Sequence, residues 1–335
     1  MSNPVPVSLL DLAHIAEGRS VSDAVEKSQA LALMAEKQGF NRVWLAEHHG
    51  MRGVASAATA VMLAGIGKAT DKIRIGAGGV MLPNHPPMVI AEQFGTLEAM
   101  FPGRVDLGLG RAPGTDMATA RALRRDIEED ARRYPQDIVE LQHYLGDNDS
   151  ERDVIAIPGN GSHVPLWLLG SSLYSAQLAA KLGLPFAFAS HFAPDSLMDA
   201  ISLYKAHFQP SAQLDKPYVM AGAMAVIADS DGEAKRRLTS VQQQFGNLRR
   251  GANKPMPKPV EDIRLELSEM EIRGVNHALR YAAVGTAESV EAQLTEFVDV
   301  TGIDELILSF PLHDTTATFE NVQAVGDMSG LIVKQ

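Results

Sequence analysis

Arg42-Val43-Trp44-Leu45-Ala46-Glu47-His48-His49 is a short, mostly apolar run that ends abruptly in three ionisable side chains. Residues 42–45 are too few for a helix and rich in strand-favouring types, so they read as a β-strand. Upstream, residues 21–38 place Val21, Val25, Ala32 and Ala35 at helical spacing and close on Gly39, a helix with a glycine stop. Downstream, residues 56–68 form an alanine-rich helix. A strand flanked on both sides by helices of this length is the repeating unit of a parallel sheet, because parallel neighbours need a long crossover.

The same alternation continues outward in both directions. Residues 5–10 read as the first strand, 73–77 as the third, 105–109 as the fourth, 166–169 as the fifth and 186–189 as the sixth. Residues 219–227 form the seventh strand and 305–309 the eighth. Helical periods fall between them at 88–100, around Tyr134, Ile138, Leu141 and Leu145, and at 172–182, 195–207, 232–249 and 287–300. Eight strands alternating with helices predict an α/β protein, a (β/α)8 TIM barrel, formed as a single domain over 1–335. An open doubly wound sheet is the other arrangement with this rhythm. Insertions are expected after strand four, where residues 147–162 are polar and glycine-rich, and between strands seven and eight. There residues 249–260 carry Arg249-Arg250, Gly251, Lys254, Lys258 and prolines at 255, 257 and 259. That second stretch has the stiffness and the hinge of a lid, with basic residues available to an anionic ligand. A passive surface crossover is its plainer reading.

Composition narrows the function. The 335 residues carry a formal net charge of -11, which argues against a nucleic-acid or anionic membrane partner. The absence of cysteine removes disulfides, thiolate catalysis and cysteine metal sites, and fits a cytoplasmic protein. Residues 1–7 lack the pattern of a signal peptide, and no apolar stretch approaches a membrane span.

A barrel places its chemistry at the carboxyl ends of its strands. After strand two, Glu47, His48 and His49 can supply a general base with its orienting partner, or merely tie down the loop. A metal reading is weaker, since adjacent side chains diverge and the spacing is not His-Glu-x-x-His. After strand three, Gly76-Ala77-Gly78-Gly79 lets a ligand approach the backbone, or turns the strand outward as a bulge. His85, in the turn that follows, reads as structural. After strand four, Gly108-Leu109-Gly110-Arg111-Ala112-Pro113-Gly114 misses the dinucleotide fingerprint by one position, so a Rossmann reading is rejected. Arg111 is a fork for phosphate or carboxylate, or a rim salt bridge. After strand five, Gly170, Ser171, Ser172 and Ser175 open a helix whose free N–H groups suit an anion, or simply cap it. His191, after strand six, reads as packing or pocket lining rather than as a proton carrier.

Several of these segments resemble one family. Trp44-Leu45-Ala46-Glu47-His48-His49 is similar to the Trp-Leu-x-Glu-His-His signature of bacterial luciferase. Ile75-Gly76-Ala77-Gly78-Gly79-Val80-Met81-Leu82-Pro83 resembles its third-strand signature, and Pro102-Gly103-Arg104-Val105-Asp106-Leu107-Gly108-Leu109-Gly110-Arg111 the fourth. Val284-Gly285-Thr286 and Thr301-Gly302-Ile303-Asp304-Glu305 resemble the late segment. The likeness is greatest to the YhbW-like subgroup of luciferase-like flavin monooxygenases.

The resemblance implies a barrel enzyme, commonly a homodimer, that binds FMN non-covalently. The flavin would be reduced by a separate reductase and used with O2 on a small organic substrate. The resemblance implies phosphate binding at Arg111, Ser171, Ser172 and Ser175, with Gly170 beside them. It places the flavin ring over Ala77, Gly78 and Gly79 with a cis peptide at Gly78-Gly79, and makes His48 the catalytic histidine. Ser171 departs from the pattern, which has a glutamate beside the phosphate-binding serine in luciferase. Two other implied functions are an oxidoreductase using the deazaflavin F420 and a flavin-binding protein without turnover.

Overall fold

The structure is a computed structural model in which residues 4–112, 117–123, 127–149, 154–331 and 333 are described. The first half alternates β1 (Val7–Asp11), α1 (Val21–Lys37), β2 (Arg42–Leu45), α2 (Thr59–Ala69), β3 (Arg74–Met81), α3 (Pro87–Met100) and β4 (Val105–Gly110). After α4 (Met117–Ala122) and α5 (Ile127–Leu145) come β5 (Leu166–Gly170), α6 (Leu173–Leu182), β6 (Phe186–Phe188), α7 (Leu197–His207) and β7 (Val219–Ile227). The chain finishes with α8 (Asp231–Arg249), α9 (Glu269–Ala278), β8 (Ala282–Gly285), α10 (Ala287–Thr301), β9 (Glu305–Ser309) and α11 (Thr315–Gly326).

Every pairing among these strands is parallel, and the sheet closes: β1 pairs with β2 and β9, and β6 reaches β7, which pairs with β9. The result is an eight-stranded (β/α)8 barrel whose eighth member is β9. The ninth strand, β8, lies outside that count. It extends the far end of β7, pairing Met224 with Ala282 through Ile227 with Gly285, beyond the β7 residues that face β6. Sequence reading misses it because Ala282-Ala283-Val284-Gly285 is short and shows no alternation. It misses α9 as well, although Ser268 and Glu271 form a capping box at its start. The helices α4 and α11 also lie outside the sequence-based expectation.

Alternation along the strands sorts the core into two layers. Val7, Leu9, Val43, Leu45, Ile75, Ala77, Val105, Leu107, Leu306 and Leu308 join the large cluster between barrel and helices. Their neighbours Leu10, Trp44, Trp167, Ala187, Met220 and Ile307 form a separate cluster that fills the barrel itself. Trp44 and Trp167 meet edge to face at 5.1 Å. The glycines of β3 make room for them: a Cβ on Gly78 would lie 2.8 Å from the Trp44 ring, and one on Gly76 2.9 Å from its Nε1.

Below the tryptophans, at the amino ends of the strands, the filling turns ionic. Arg42 donates to Asp106 at 2.6 Å and to Glu305 at 2.8 and 3.0 Å. Arg74 reaches the other oxygen of Asp106, and Ser8, Asn41 and Tyr218 donate to Glu305. Burial opposes the charge on Arg42, but Asp106 and Glu305 outweigh it and hold the guanidinium above its usual pKa. Two cations and two anions thus neutralise one another in the barrel floor, far from the carboxyl ends where chemistry sits.

Candidate functional site

Backbone pairing continues past the end of β2. Ala46 N–H donates to the Asp11 carbonyl and Glu47 N–H to that of Gly79, so the chain leaves the strand still extended. Alternation then puts Glu47 and His49 on one side and His48 on the other.

On the first side, Glu47 is nearly fully buried, and its Oε1 accepts from Nε2 of His49 and from Nε2 of His85, each at 2.8 Å. Burial alone would raise the Glu47 carboxyl, but the two imidazole hydrogen bonds outweigh it and lower its pKa. His85 arrives from the turn after β3, held by its own N–H to the Leu82 carbonyl. In the sequence alone, His85 reads as a lone turn residue. The signal it lacked was partnership with Glu47, 38 positions away.

On the second side, His48 lies close enough to His14 and His191 to disfavour their protonation. Burial is the larger cause at both, and each imidazole is pushed down to about 4. His14 stands beside Asp11, whose carboxylate offsets part of that shift. Three histidines from the ends of β1, β2 and β6 therefore gather at the barrel mouth, two of them neutral at ordinary pH.

The β3 glycines serve packing and approach together. The register to β4 shifts between Ala77 and Val80, which is a bulge, and the Gly78–Gly79 peptide is cis, as the resemblance implies. A Cβ on Gly79 would meet the Gly108 carbonyl at 2.7 Å. Ala77 turns its side chain outward into the helix layer, so it can offer a ligand only its backbone.

Around the rim, Gly110 of β4 pairs with Leu169 of β5, which brings Arg111 beside the start of α6. The guanidinium lies 4.2 Å from the centre of the Tyr174 ring, a cation–π contact that fixes its direction. Ser172 is the N-cap residue of α6, with extended backbone, yet its side chain makes no capping bond. A hydroxyl and first N–H groups at such a helix start suit an anionic ligand. Ser175 is buried one turn on, and a Cβ on Gly170 would fall 2.2 Å from its Oγ. Glycine at 170 is what lets that hydroxyl reach the strand end. These groups fit a phosphate monoester: one guanidinium, hydroxyls and a helix N-terminus, with no carboxylate among them.

The segment after α8 does not carry its charges as the sequence suggests. Arg249 donates to the Gly274 carbonyl, and Arg250 pairs with Glu271, so neither is offered to an anion at the barrel mouth. The rest crosses to the loops after β1 and β2. Asn253 bonds the backbone of Gly50 and Arg52, and Met256 bonds that of Ile15 and Glu17. A cleft of about 540 Å³ opens behind it between α8 and the turn into α11. Arg236 and Arg237 line this cleft but already pair with Glu233, and none of the strand-end residues above faces it. Among the described residues, no helix is long and apolar enough to cross a membrane.

A closed parallel barrel of eight strands with flanking helices defines the class: a (β/α)8 barrel protein, here with ionisable side chains at its strand ends. The chain belongs to the luciferase-like monooxygenase family, whose model matches residues 5–305. It is 48% identical over 324 residues to a luciferase-like monooxygenase of Escherichia coli K12, covering 97% of each chain. Among solved structures it is similar to apo-MsnO8, with a TM-score of 0.87, 30% identity, and coverage of 99% of this chain and 100% of that one. More distant folds include the FMN-bound oxygenating component of 3,6-diketocamphane monooxygenase of Pseudomonas putida, with a TM-score of 0.70, 16% identity and 99% of each chain. An F420-dependent secondary alcohol dehydrogenase shares the fold with a TM-score of 0.69 and 17% identity, over 96% of this chain and 98% of that one.

Proposed function

We propose that this monooxygenase is FMN-dependent, taking reduced flavin from a separate reductase and acting with O2 on a small organic substrate. We read it as one domain, working as a cytoplasmic homodimer. The observation that carries the flavin assignment is the uncapped start of α6, with Ser172, Ser175 and the Tyr174-stacked Arg111 around it. Arg111, Ser171, Ser172 and Ser175 would hold the phosphate. Gly78, Gly79 and the backbone of Ala77 would lie against the ring, where any side chain would collide with Trp44 or Gly108.

Bound reduced flavin supplies the electrons that activate O2; the protein contributes position, proton transfer and exclusion of water. His48 is the proton carrier in this reading. It sits on one side of the strand end, while Glu47 and His49 on the other side brace the segment through His85. His14 and His191 near it are held neutral chiefly by burial, so neither imidazole adds a positive charge beside His48. Residues 249–260, which bond the loops after β1 and β2, act in this reading as the cover of the mouth.

The test is to load the protein with reduced FMN, mix it with O2, and compare hydrogen peroxide release with oxidised product across aldehydes, ketones and aromatic compounds. Product formed at the expense of peroxide supports the reading. Peroxide alone with every substrate class would leave a flavin-binding protein. The shared fold of an F420 enzyme makes F420 the alternative cofactor, and tighter binding of F420 than of FMN would establish it.

A further inference from the structure

We propose that Glu47, His49 and His85 form a binding site for one borderline divalent transition metal ion, with Zn2+ the best match. The carboxylate oxygen and one nitrogen of each ring lie within 4.8 Å of one another. Glu47 and His49 share a side because they are two apart on extended chain, and His85 supplies the third ligand from the next strand's turn. Local spacing in the sequence discourages a metal reading because the third ligand is remote.

Geometry and charge both favour the ion. Zinc holds histidine nitrogen and carboxylate oxygen at about 2.0–2.2 Å, which sets ligand atoms roughly 3.3 Å apart in a tetrahedron. The two Nε2···Oε1 separations of 2.8 Å need to open by only about half an ångström to reach that spacing. Among the described residues, no lysine or arginine pairs with Glu47, so imidazoles alone face its buried charge. A divalent ion meets that charge directly. The proton each Nε2 now donates moves to Nδ1 as the metal takes its place. Two nitrogens and one oxygen select zinc, cobalt, nickel or copper over calcium and magnesium, which require oxygen ligands. The side chains of His49 and His85 are 16% and 25% exposed, so an ion can enter from solvent and keep a water as its fourth ligand.

The experiment titrates the untagged, flavin-free protein with Zn2+ by calorimetry and with Co2+ by visible absorption. The expected result is one ion per chain, intense cobalt bands of a four- or five-coordinate site, and no competition from Mg2+ or Ca2+. His85→Gln and Glu47→Gln should each weaken binding at least about tenfold, and Co2+ on the wild-type chain reports the site even where a variant fails to fold. Absence of saturable binding, or only the weak bands of octahedral cobalt, would overturn the proposal. So would full affinity in both variants, which would locate the ion at the exposed His277–Asp195 or His163–Asp147 pair. The titration needs no flavin, so its failure leaves the cofactor reading intact.

Discussion

A Cβ on Gly222 would lie 2.3 Å from Nδ1 of His191. The imidazole is packed against bare backbone of β7, and among the described residues that Nδ1 is buried without a hydrogen-bond partner. A ring so placed is best neutral with its proton on Nε2, consistent with a pKa lowered to about 4, chiefly by burial.

Acid stability follows from that pair. His191 and His14 both titrate near 4 when folded, against 6.5 as the ordinary value. Between those values the unfolded chain binds more protons than the native one, so stability falls as pH drops from 6.5 toward 4. Below 4 these two groups add no further loss. Urea midpoints measured across this range should slope less steeply in His191→Gln than in the wild type. An unchanged slope would mean the ring is not held neutral by its surroundings.

His48 and His49 face opposite ways, so their loss should read out differently. His48→Ala is predicted to keep FMN affinity and stability while lowering turnover about 10²–10⁴-fold. His49→Ala removes a hydrogen bond to the buried Glu47 and should cost about 1–3 kcal/mol of stability. Steady-state rates set beside denaturation curves check this. Equal small effects at both positions would reduce the segment to a loop tie.

The ionic floor predicts the largest stability effect. Arg42→Met leaves Asp106 and Glu305 buried with one cation fewer, and should cost about 3–5 kcal/mol in chemical denaturation. A loss below 1 kcal/mol would show that water or rearrangement replaces the guanidinium.

The barrel is legible in the sequence because its cause is local. A parallel strand needs a crossover helix, and each such pair is visible over a window of some thirty residues. The nearness of Arg111 to the start of α6 is legible too, since strand order brings the ends of β4 and β5 together. What stays hidden depends on long-range partnership. Asp106 looks like a break in an apolar strand until Arg42 and Arg74 are seen to meet it. His85 looks like a turn residue until Glu47 is beside it. Arg249 and Arg250 look available until the capping box of α9 is recognised, which supplies Glu271 as the Arg250 partner. Gly78 points to a ligand in sequence, yet its nearest neighbour is Trp44, so one glycine answers to packing and site at once.

Calorimetry with FMN and riboflavin tests most directly whether the start of α6 and Arg111 hold the phosphate of FMN. The two ligands share a ring system and differ in the phosphate. The wild type is expected to bind FMN far more tightly. Arg111→Ala is expected to weaken FMN binding by about 1.5–3 kcal/mol, roughly 10- to 150-fold, while leaving riboflavin nearly unchanged. Equal affinity for FMN and riboflavin in the wild-type protein would contradict a phosphate site there.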